Sequence, residues 1–131
     1  MAEPKWLTPH AAEAVQRESI TSFGGTPGMR DVGLLEGALD RPHNQWHSGK
    51  DPTIYDLAAA YCAGIVNNHP FVDGNKRAGL LAAVAFLGLD GFAFEPDEAQ
   101  VVAIILGLAA GEIDELAVAR WIADNAKSKQ P

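Results

Sequence analysis

Two apolar segments separated by a short polar loop constrain the fold of this chain more than any other feature. Residues 54–67 place apolar side chains at helical spacing. Residues 78–89 are almost wholly apolar and are followed by Asp90 and Gly91, a typical helix stop. A helix that is apolar on all sides is a buried one. We therefore predict a loop that connects two core helices.

The loop itself, residues 68–77, brings together a base, a carboxylate, a glycine and two cations. Pro70 disfavours helical geometry at the preceding residue, so His69 is expected at or just beyond the end of the first helix. An imidazole, with an ordinary pKa near about 6.5, can take a proton from a hydroxyl at neutral pH. Asp73 is a hard oxygen ligand suited to Mg²⁺ beside phosphate oxygens. Phe71 is expected to point inward and to anchor the loop.

The start of the second helix is predicted to bind the phosphates of a nucleotide. The first amide groups of a helix lack intrahelical partners and carry partial positive charge, which favours anions. Gly74, before Asn75, permits a positive φ and a close approach of the backbone to a ligand. Lys76 and Arg77 add two cations, and arginine can contact phosphate through two parallel hydrogen bonds. A solvated turn would need neither this cation pair nor His69.

The run from His69 to Arg77 resembles the signature of the Fic/Doc superfamily, His-x-Phe-x-Asp/Glu-Gly/Ala-Asn-Gly/Lys-Arg. Nucleotidyl-transferring Fic enzymes usually carry Gly before the first Arg of this motif and a second Arg three positions after it. Lys76 and Leu80 occupy those positions here, and both are similar to the death-on-curing (Doc) branch. Gly74, in contrast, is Fic-like.

Two further segments, 23–36 and 109–114, also resemble Doc-family toxins, so the likeness extends over about residues 6–121. It implies an all-α fold, a compact Fic/Doc-like helical bundle with a short β-hairpin flap. The length is sufficient for one hydrophobic core. We expect residues 1–131 to form a single domain with its core over about 6–125, and the tail from Lys127 to be frayed.

The resemblance also implies a site and a reaction. His69 would be the catalytic base, and Asp73 would hold Mg²⁺ on the phosphates of ATP. Doc-type toxins are protein kinases that transfer the γ-phosphate of ATP to a threonine of elongation factor Tu, which halts protein synthesis. The residues that would bind the phosphates are Gly74, Asn75, Lys76 and Arg77. The residues of the flap that would align the target by strand-like pairing are Gly28, Met29 and Arg30.

Three functions remain open. The first is a Doc-type protein kinase. The second is a Fic-type transferase of AMP or another nucleotidyl group, which Gly74 favours and Lys76 and Leu80 oppose. The third is a non-catalytic binding module, which the intact His69 and Asp73 oppose.

Regulation is expected from a separate protein. Many Fic enzymes carry an inhibitory helix with the pattern Ser/Thr-x-x-x-Glu-Gly/Asn, and this sequence has no such pattern. The resemblance therefore suggests a cognate antitoxin with a disordered segment that folds on binding.

Composition limits the partners and the cellular location that we expect for this protein. The net charge of −7 argues against broad nucleic-acid binding, which requires a basic face. Cys62 lies on the apolar face of a predicted helix and is interpreted as a small core residue. The N-terminal residues lack the apolar core of a signal peptide, and residues 78–89 are too few to span a membrane. We expect a cytoplasmic protein that makes no direct membrane contact.

The rest of the chain is predicted to be helical with polar connections. Pro42 is expected to end a helix near Asp40. His43 and His47 lie four residues apart in the following polar segment, where proline and glycine argue against a helical metal site, and Trp46 is expected to be a partly buried anchor. The remaining predicted elements are a helix from Pro9 to about Phe23, a mobile loop or short hairpin over 24–30, a helix from Asp31 to about Asp40, a polar loop over 42–52, an extended segment over 91–94, a helix from Pro96 or Asp97 to about Ala110, and a last helix that starts at Asp114.

Overall fold

The computed structural model describes residues 1–129, and within this range it contains six α-helices and one two-stranded antiparallel sheet. This arrangement confirms the predicted all-α fold with a minor β element. In chain order the elements are α1 (Pro9–Phe23), α2 (Val32–Trp46), α3 (Ile54–Asn68), α4 (Asn75–Leu89), β1 (Phe92–Phe94), α5 (Glu98–Ala109), α6 (Glu115–Asn125) and β2 (Ala126–Ser128). No helix in the described range is long and apolar enough to cross a membrane.

Helix α3 forms the centre of the molecule. It begins at a capping box in which Thr53 and Asp56 satisfy each other's backbone amides. Every residue from 57 to 66 is buried, because α2, α4 and α6 pack against it. Cys62 belongs to this buried stretch, as predicted, and burial raises the pKa of its thiol to about 12. The predicted core helix is therefore confirmed.

Two glycines bring the neighbouring helices unusually close to α3. A Cβ atom added to Gly64 would lie 3.1 Å from the Cα of Ala38 on α2. A Cβ atom added to Gly79 on α4 would lie 2.7 Å from Cγ2 of Val66 and 2.9 Å from the carbonyl oxygen of Cys62. The close crossing of α3 and α4 fixes the distance between the end of one helix and the start of the other.

Helix α2 is longer than predicted, and the expectation that Pro42 ends it near Asp40 is wrong. The helix continues to Trp46 with Pro42 buried inside it. A proline has no amide hydrogen, so the carbonyl of Ala38 loses its regular helical donor. That carbonyl faces Gly64, where an added Cβ atom would lie 3.2 Å from its oxygen. Packing of α2 on α3 therefore outweighs the local preference of proline.

The last turn of α2 is held by an aromatic cluster that the sequence did not reveal. Trp6 stacks on the ring of His43 with a centroid distance of 4.1 Å. Trp46 packs edge-on against Trp6 at 6.4 Å and is partly buried, as expected. The predicted polar loop over 42–52 therefore shortens to the segment that follows Trp46.

The sheet joins two distant parts of the chain. Strand β1 pairs antiparallel with β2, with Phe92 opposite Ser128 and Phe94 opposite Ala126. The amide of Lys129 then donates to the carbonyl of Gly91 at 2.7 Å. The prediction of a frayed tail from Lys127 is therefore wrong for residues 127–129, and residues 130 and 131 lie outside the described range.

Candidate active site

His69 ends helix α3 in a left-handed backbone conformation, with φ 51° and ψ 55°. Its position at the helix end agrees with the prediction from Pro70. In the described part of the chain, Asp51 is the other non-glycine residue with a positive φ. This conformation costs a residue with a Cβ atom about 1–2 kcal/mol. Such strain persists where the surrounding structure enforces it, and it concentrates at functional sites.

The loop after His69 is anchored by Phe71 and Asn75. Phe71 is buried in the core, as predicted. The side chain of Asn75 accepts a hydrogen bond from the amide of Phe71 at 3.0 Å and donates to its carbonyl at 3.1 Å. Asn75 thus uses both of its side-chain polar atoms to shape the loop. Its predicted contact with phosphate would come from its backbone amide.

The start of α4 has the form of an anion site. Gly74 adopts φ 71° and provides no side-chain cap. The first intrahelical bond runs from Ala78 to the carbonyl of Gly74, so the amides of the preceding three residues have no helical acceptor. This helix end borders a cavity of about 400 Å³. Its lining residues are His69, Val72, Asp73, Gly74, Asn75, Lys76 and Arg77.

The two cations at this cavity differ in how firmly they are held. The side chain of Lys76 is exposed and has no hydrogen bond or ion pair to residues 1–129. Arg77 donates from Nη2 to the carbonyl of Gly24 at 3.1 Å, and its guanidinium lies 5.2 Å from the ring centroid of Phe23. Arg77 is therefore oriented before any ligand arrives, whereas Lys76 is free to reach for one.

Asp73 is prepared to act as an ionised ligand. Its carboxylate accepts hydrogen bonds from the amides of Thr26 at 3.1 Å and Gly74 at 2.8 Å. These bonds, that from Thr26 above all, lower the pKa of Asp73, and the charge of Arg77 acts in the same direction. Within residues 1–129 no group of three or more metal-ligating side chains occurs. A single carboxylate fits Mg²⁺, which commonly takes one or two carboxylates together with substrate phosphates.

The segment over 24–30 lies beside the loop and forms one antiparallel bridge between Met29 and Phe71. The amide of Arg30 donates to the carbonyl of Pro70 at 2.8 Å, and the amide of Val72 donates to the carbonyl of Gly28 at 3.0 Å. In this antiparallel pattern the amide and carbonyl of the intervening residue, Met29, point away from the paired strand. Met29 therefore presents an outward-facing amide and carbonyl, whereas the carbonyl of Gly28 is used by Val72.

Two residues near the site have contacts that sequence reasoning missed. The guanidinium of Arg30 is directed at the end of α3, where it donates to the carbonyls of Asn68 and His69. Gln16 is buried on α1 and donates to the carbonyl of Asp73 at 3.2 Å. A polar residue on the buried face of a helix is a signal that could have identified Gln16. The contact of Arg30 could not be read from the sequence, because it joins residues that are 38 and 39 positions apart.

Comparison with known proteins agrees with this geometry. Residues 6–87 match the model of the Fic/DOC family. The chain is 29% identical over 113 residues to the protein kinase Doc of Escherichia phage P1, a match that covers 86% of this chain and 89% of that protein. It is 38% identical over 92 residues to the toxin Doc of Mycolicibacterium smegmatis, covering 65% of this chain and 70% of that protein. The family match spans more than half of the described residues and includes the complete motif from His69 to Arg77, and the chain therefore belongs to the Fic/DOC family, with Doc proteins among its relatives.

Proposed function

We propose that this protein is a Doc-type toxin that acts in the cytoplasm as an ATP-dependent protein kinase. It transfers the γ-phosphate to a serine or threonine hydroxyl of a translation factor, with elongation factor Tu as the first candidate target. The observation that carries this proposal is the shared cavity, in which His69 and Asp73 border the same start of α4. The printed names of the two relatives, a protein kinase and a toxin, support it.

In the proposed reaction His69, Asp73 and the start of α4 each have a separate role. The target hydroxyl oxygen attacks the γ-phosphorus, and its proton passes to an imidazole nitrogen of His69. The bond between the γ-phosphorus and the bridging oxygen breaks, and ADP leaves. Asp73 would hold Mg²⁺, which when bound neutralises charge on the phosphates. The amides at the start of α4, with Lys76 and Arg77, hold the phosphate oxygens in line, and such positioning is the main contribution of a protein to phosphoryl transfer.

The surroundings of Leu80 favour a kinase over a nucleotidyl transferase. Leu80 takes the position where Fic enzymes usually have their second arginine. Together with Lys76, Arg77, Val101 and Ile105 it lines a cavity of about 200 Å³ whose exposed surface is apolar. Leu80, Val101 and Ile105 would take water from a phosphate placed against them and offer it no polar or cationic group in return. The phosphates are therefore expected to gather at the first turn of α4.

Gly74, the residue that favours the alternative function, has a local explanation in the fold. Its φ of 71° is a conformation that residues with a Cβ atom rarely adopt. An added Cβ atom would also lie 3.3 Å from Cδ1 of Ile20. The glycine thus fits the backbone of this chain whichever phosphorus is attacked, and it carries little weight for AMP transfer.

The target would dock against the flap. The outward amide and carbonyl of Met29 can pair with an extended segment, which would extend the bridge between Met29 and Phe71 by one strand. Such pairing fixes the target backbone and leaves its hydroxyl side chain to approach His69. A cognate antitoxin, with a disordered segment that folds on the toxin, would control the activity. This partner is refuted if the protein encoded beside the toxin neither co-purifies with it nor suppresses its toxicity.

The decisive experiment uses ATP labelled at either the α- or the γ-phosphate. Purified protein is incubated with Mg²⁺ and elongation factor Tu, with His69→Ala as the inactive variant and His10→Ala, an exposed histidine on α1, as its matched control. Label transferred from the γ-position alone supports the kinase. Label from the α-position establishes nucleotidyl transfer and refutes the kinase.

The controls assign the roles of the individual residues. His69→Ala should abolish transfer and leave nucleotide binding largely intact, whereas Asp73→Ala should lose both activity and its dependence on Mg²⁺. Turnover comparable to that of the unaltered protein in either variant would contradict the role given to that residue. If His69→Ala binds nucleotide and partner normally but remains toxic in cells, the result supports a binding module.

A further inference from the structure

The guanidinium of Arg30 holds the backbone of His69 on both sides. Nε donates to the carbonyl of His69 at 2.7 Å, and Nη2 donates to the carbonyl of Asn68 at 3.0 Å. The carbonyl of the next residue, Pro70, accepts from the amides of Arg30 at 2.8 Å and Asp31 at 3.0 Å. Three successive carbonyls at and just beyond the end of α3 thus receive donors from two consecutive residues, Arg30 of the flap and Asp31 at the start of α2.

These contacts act on the two torsion angles that aim the imidazole. The peptide plane that contains the Asn68 carbonyl precedes the Cα atom of His69, and its orientation defines φ. The plane that contains the His69 carbonyl follows that Cα atom and defines ψ. Because one rigid, planar guanidinium binds both carbonyls, it fixes the orientation of the two planes relative to each other.

The left-handed conformation of His69 needs such support. With φ 51° and ψ 55° the residue is strained, and the last carbonyls of α3 would otherwise lack donors. A cation at a helix C-terminus also interacts favourably with the helix dipole. If His69 adopted a right-handed conformation, the chain would continue as a helix. The side chain of His69 would then no longer point in its present direction beside the cavity.

We propose that Arg30 is a positioning residue for His69, which holds the imidazole in its left-handed backbone geometry without touching the nucleotide or the target. This inference rests on the proposed function in so far as His69 is the base of a transfer reaction. It changes the role of Arg30 within the flap, because its side chain positions His69 and the outward backbone groups that could pair with a target belong to Met29.

The test compares three arginine variants. Arg30→Met keeps the aliphatic stem and removes both donors. Arg30→Lys keeps the charge, but its single ammonium group cannot reproduce the planar fork. Arg120→Met is the matched control, because Arg120 is exposed on α6 and has no hydrogen bond or ion pair to residues 1–129. Each variant is measured for kcat, for KM of ATP, and for the backbone ¹³C chemical shifts of residues 68–70.

We expect Arg30→Met to lower kcat roughly ten- to hundredfold, the scale on which a small misplacement of a catalytic group acts. KM for ATP should stay within about twofold, since the phosphate-binding turn of α4 is untouched. Arg30→Lys should lie between Arg30→Met and the unaltered protein, and Arg120→Met should match the latter. The ¹³C shifts of His69 should move away from left-handed values in Arg30→Met, while those of the core of α3 stay in place.

Unchanged kcat in Arg30→Met, or His69 shifts that remain at left-handed values, would overturn the positioning role. Equal loss in Arg30→Lys and Arg30→Met with unchanged His69 shifts would also overturn it, because the arginine would then act on a ligand directly. If the unaltered protein transfers no label from ATP to elongation factor Tu, that target is refuted, and the protein either modifies another target or acts as a binding module. The chemical shifts, which need no substrate, then decide the inference on their own.

Discussion

The contact between α3 and α4 predicts that alanine substitutions at two glycines of α4 change the stability of the protein in opposite directions. Gly79 faces α3, where an added Cβ atom would lie 2.7 Å from Cγ2 of Val66 and 2.9 Å from the carbonyl oxygen of Cys62. Gly88 lies on the same helix with no heavy atom within 4 Å of an added Cβ atom. We therefore expect Gly79→Ala to destabilise the protein and Gly88→Ala to stabilise it.

The magnitudes follow from two competing terms. Alanine in place of glycine within a helix gains about 0.4–1 kcal/mol, largely because the unfolded chain loses conformational freedom. At Gly79 the new methyl group meets a backbone oxygen and a β-branched side chain with a stiff χ1 angle, and such overpacking typically costs about 1–3 kcal/mol. The net expectation is a loss of about 1–2 kcal/mol for Gly79→Ala and a gain of about 0.5 kcal/mol for Gly88→Ala.

Urea and thermal unfolding followed by circular dichroism can measure both values. The urea midpoint should shift in opposite directions with an unchanged m-value. For a chain of this size each kcal/mol corresponds to roughly 3–5 °C in Tm. Because both variants share the gain from alanine, the difference between them isolates the packing cost. If Gly79→Ala is as stable as Gly88→Ala, the close crossing of α3 and α4 is refuted.

Two further predictions concern the contact between Asp73 and the flap. A Cβ atom added to Gly25 would lie 2.7 Å from Oδ2 of Asp73, whereas one added to Gly24 meets nothing within 4 Å, although both glycines have positive φ. Gly25→Ala should therefore displace the amide of Thr26 and raise the pKa of Asp73 toward its ordinary value, whereas Gly24→Ala should leave that pKa unchanged. A carboxyl ¹³C titration of Asp73 measures both values, and equal effects of the two substitutions would contradict this prediction. The same bond makes the flap sensitive to acid, because a carboxylate with a lowered pKa contributes stability above its ordinary pKa and loses it as the pH falls through the lowered value. The amide resonance of Thr26 should follow that titration and become independent of it in Asp73→Asn; a midpoint above the ordinary aspartate range would refute the bond.

The sequence predicted most of the helical framework because its signals are local. Thr8 caps α1 and Pro9 begins it, Asp97 caps α5, and Asp114 caps α6, each as a short-range pattern indicates. The motif around His69 likewise consists of consecutive residues, so its recognition required no knowledge of distant contacts. The roles given to its residues stay predictions until the labelling experiment is done.

The features that could not be predicted depend on contacts between distant segments. Pro42 remains inside α2 because the helix packs against Gly64 and because Trp6, far away in the chain, stacks on its last turn. Strand β2 forms because β1 provides a partner for it. The side chain of Arg30 likewise reaches the end of α3 only because the fold brings residues that are 38 and 39 positions apart into contact. Local propensity contains none of this information, and tertiary packing decides each case.

The buried position of α3 also determines which part of the site can move. Amide hydrogens in the core of a helix that is covered on all sides exchange with solvent only when the whole protein unfolds, whereas exposed loops exchange through small local openings. The helix that ends in His69 belongs to the first class, and residues 24–28, which are exposed, belong to the second. His69, the proposed base, thus lies at the end of the element that we expect to exchange most slowly, and under the proposed function it is the flap that would adjust to a target.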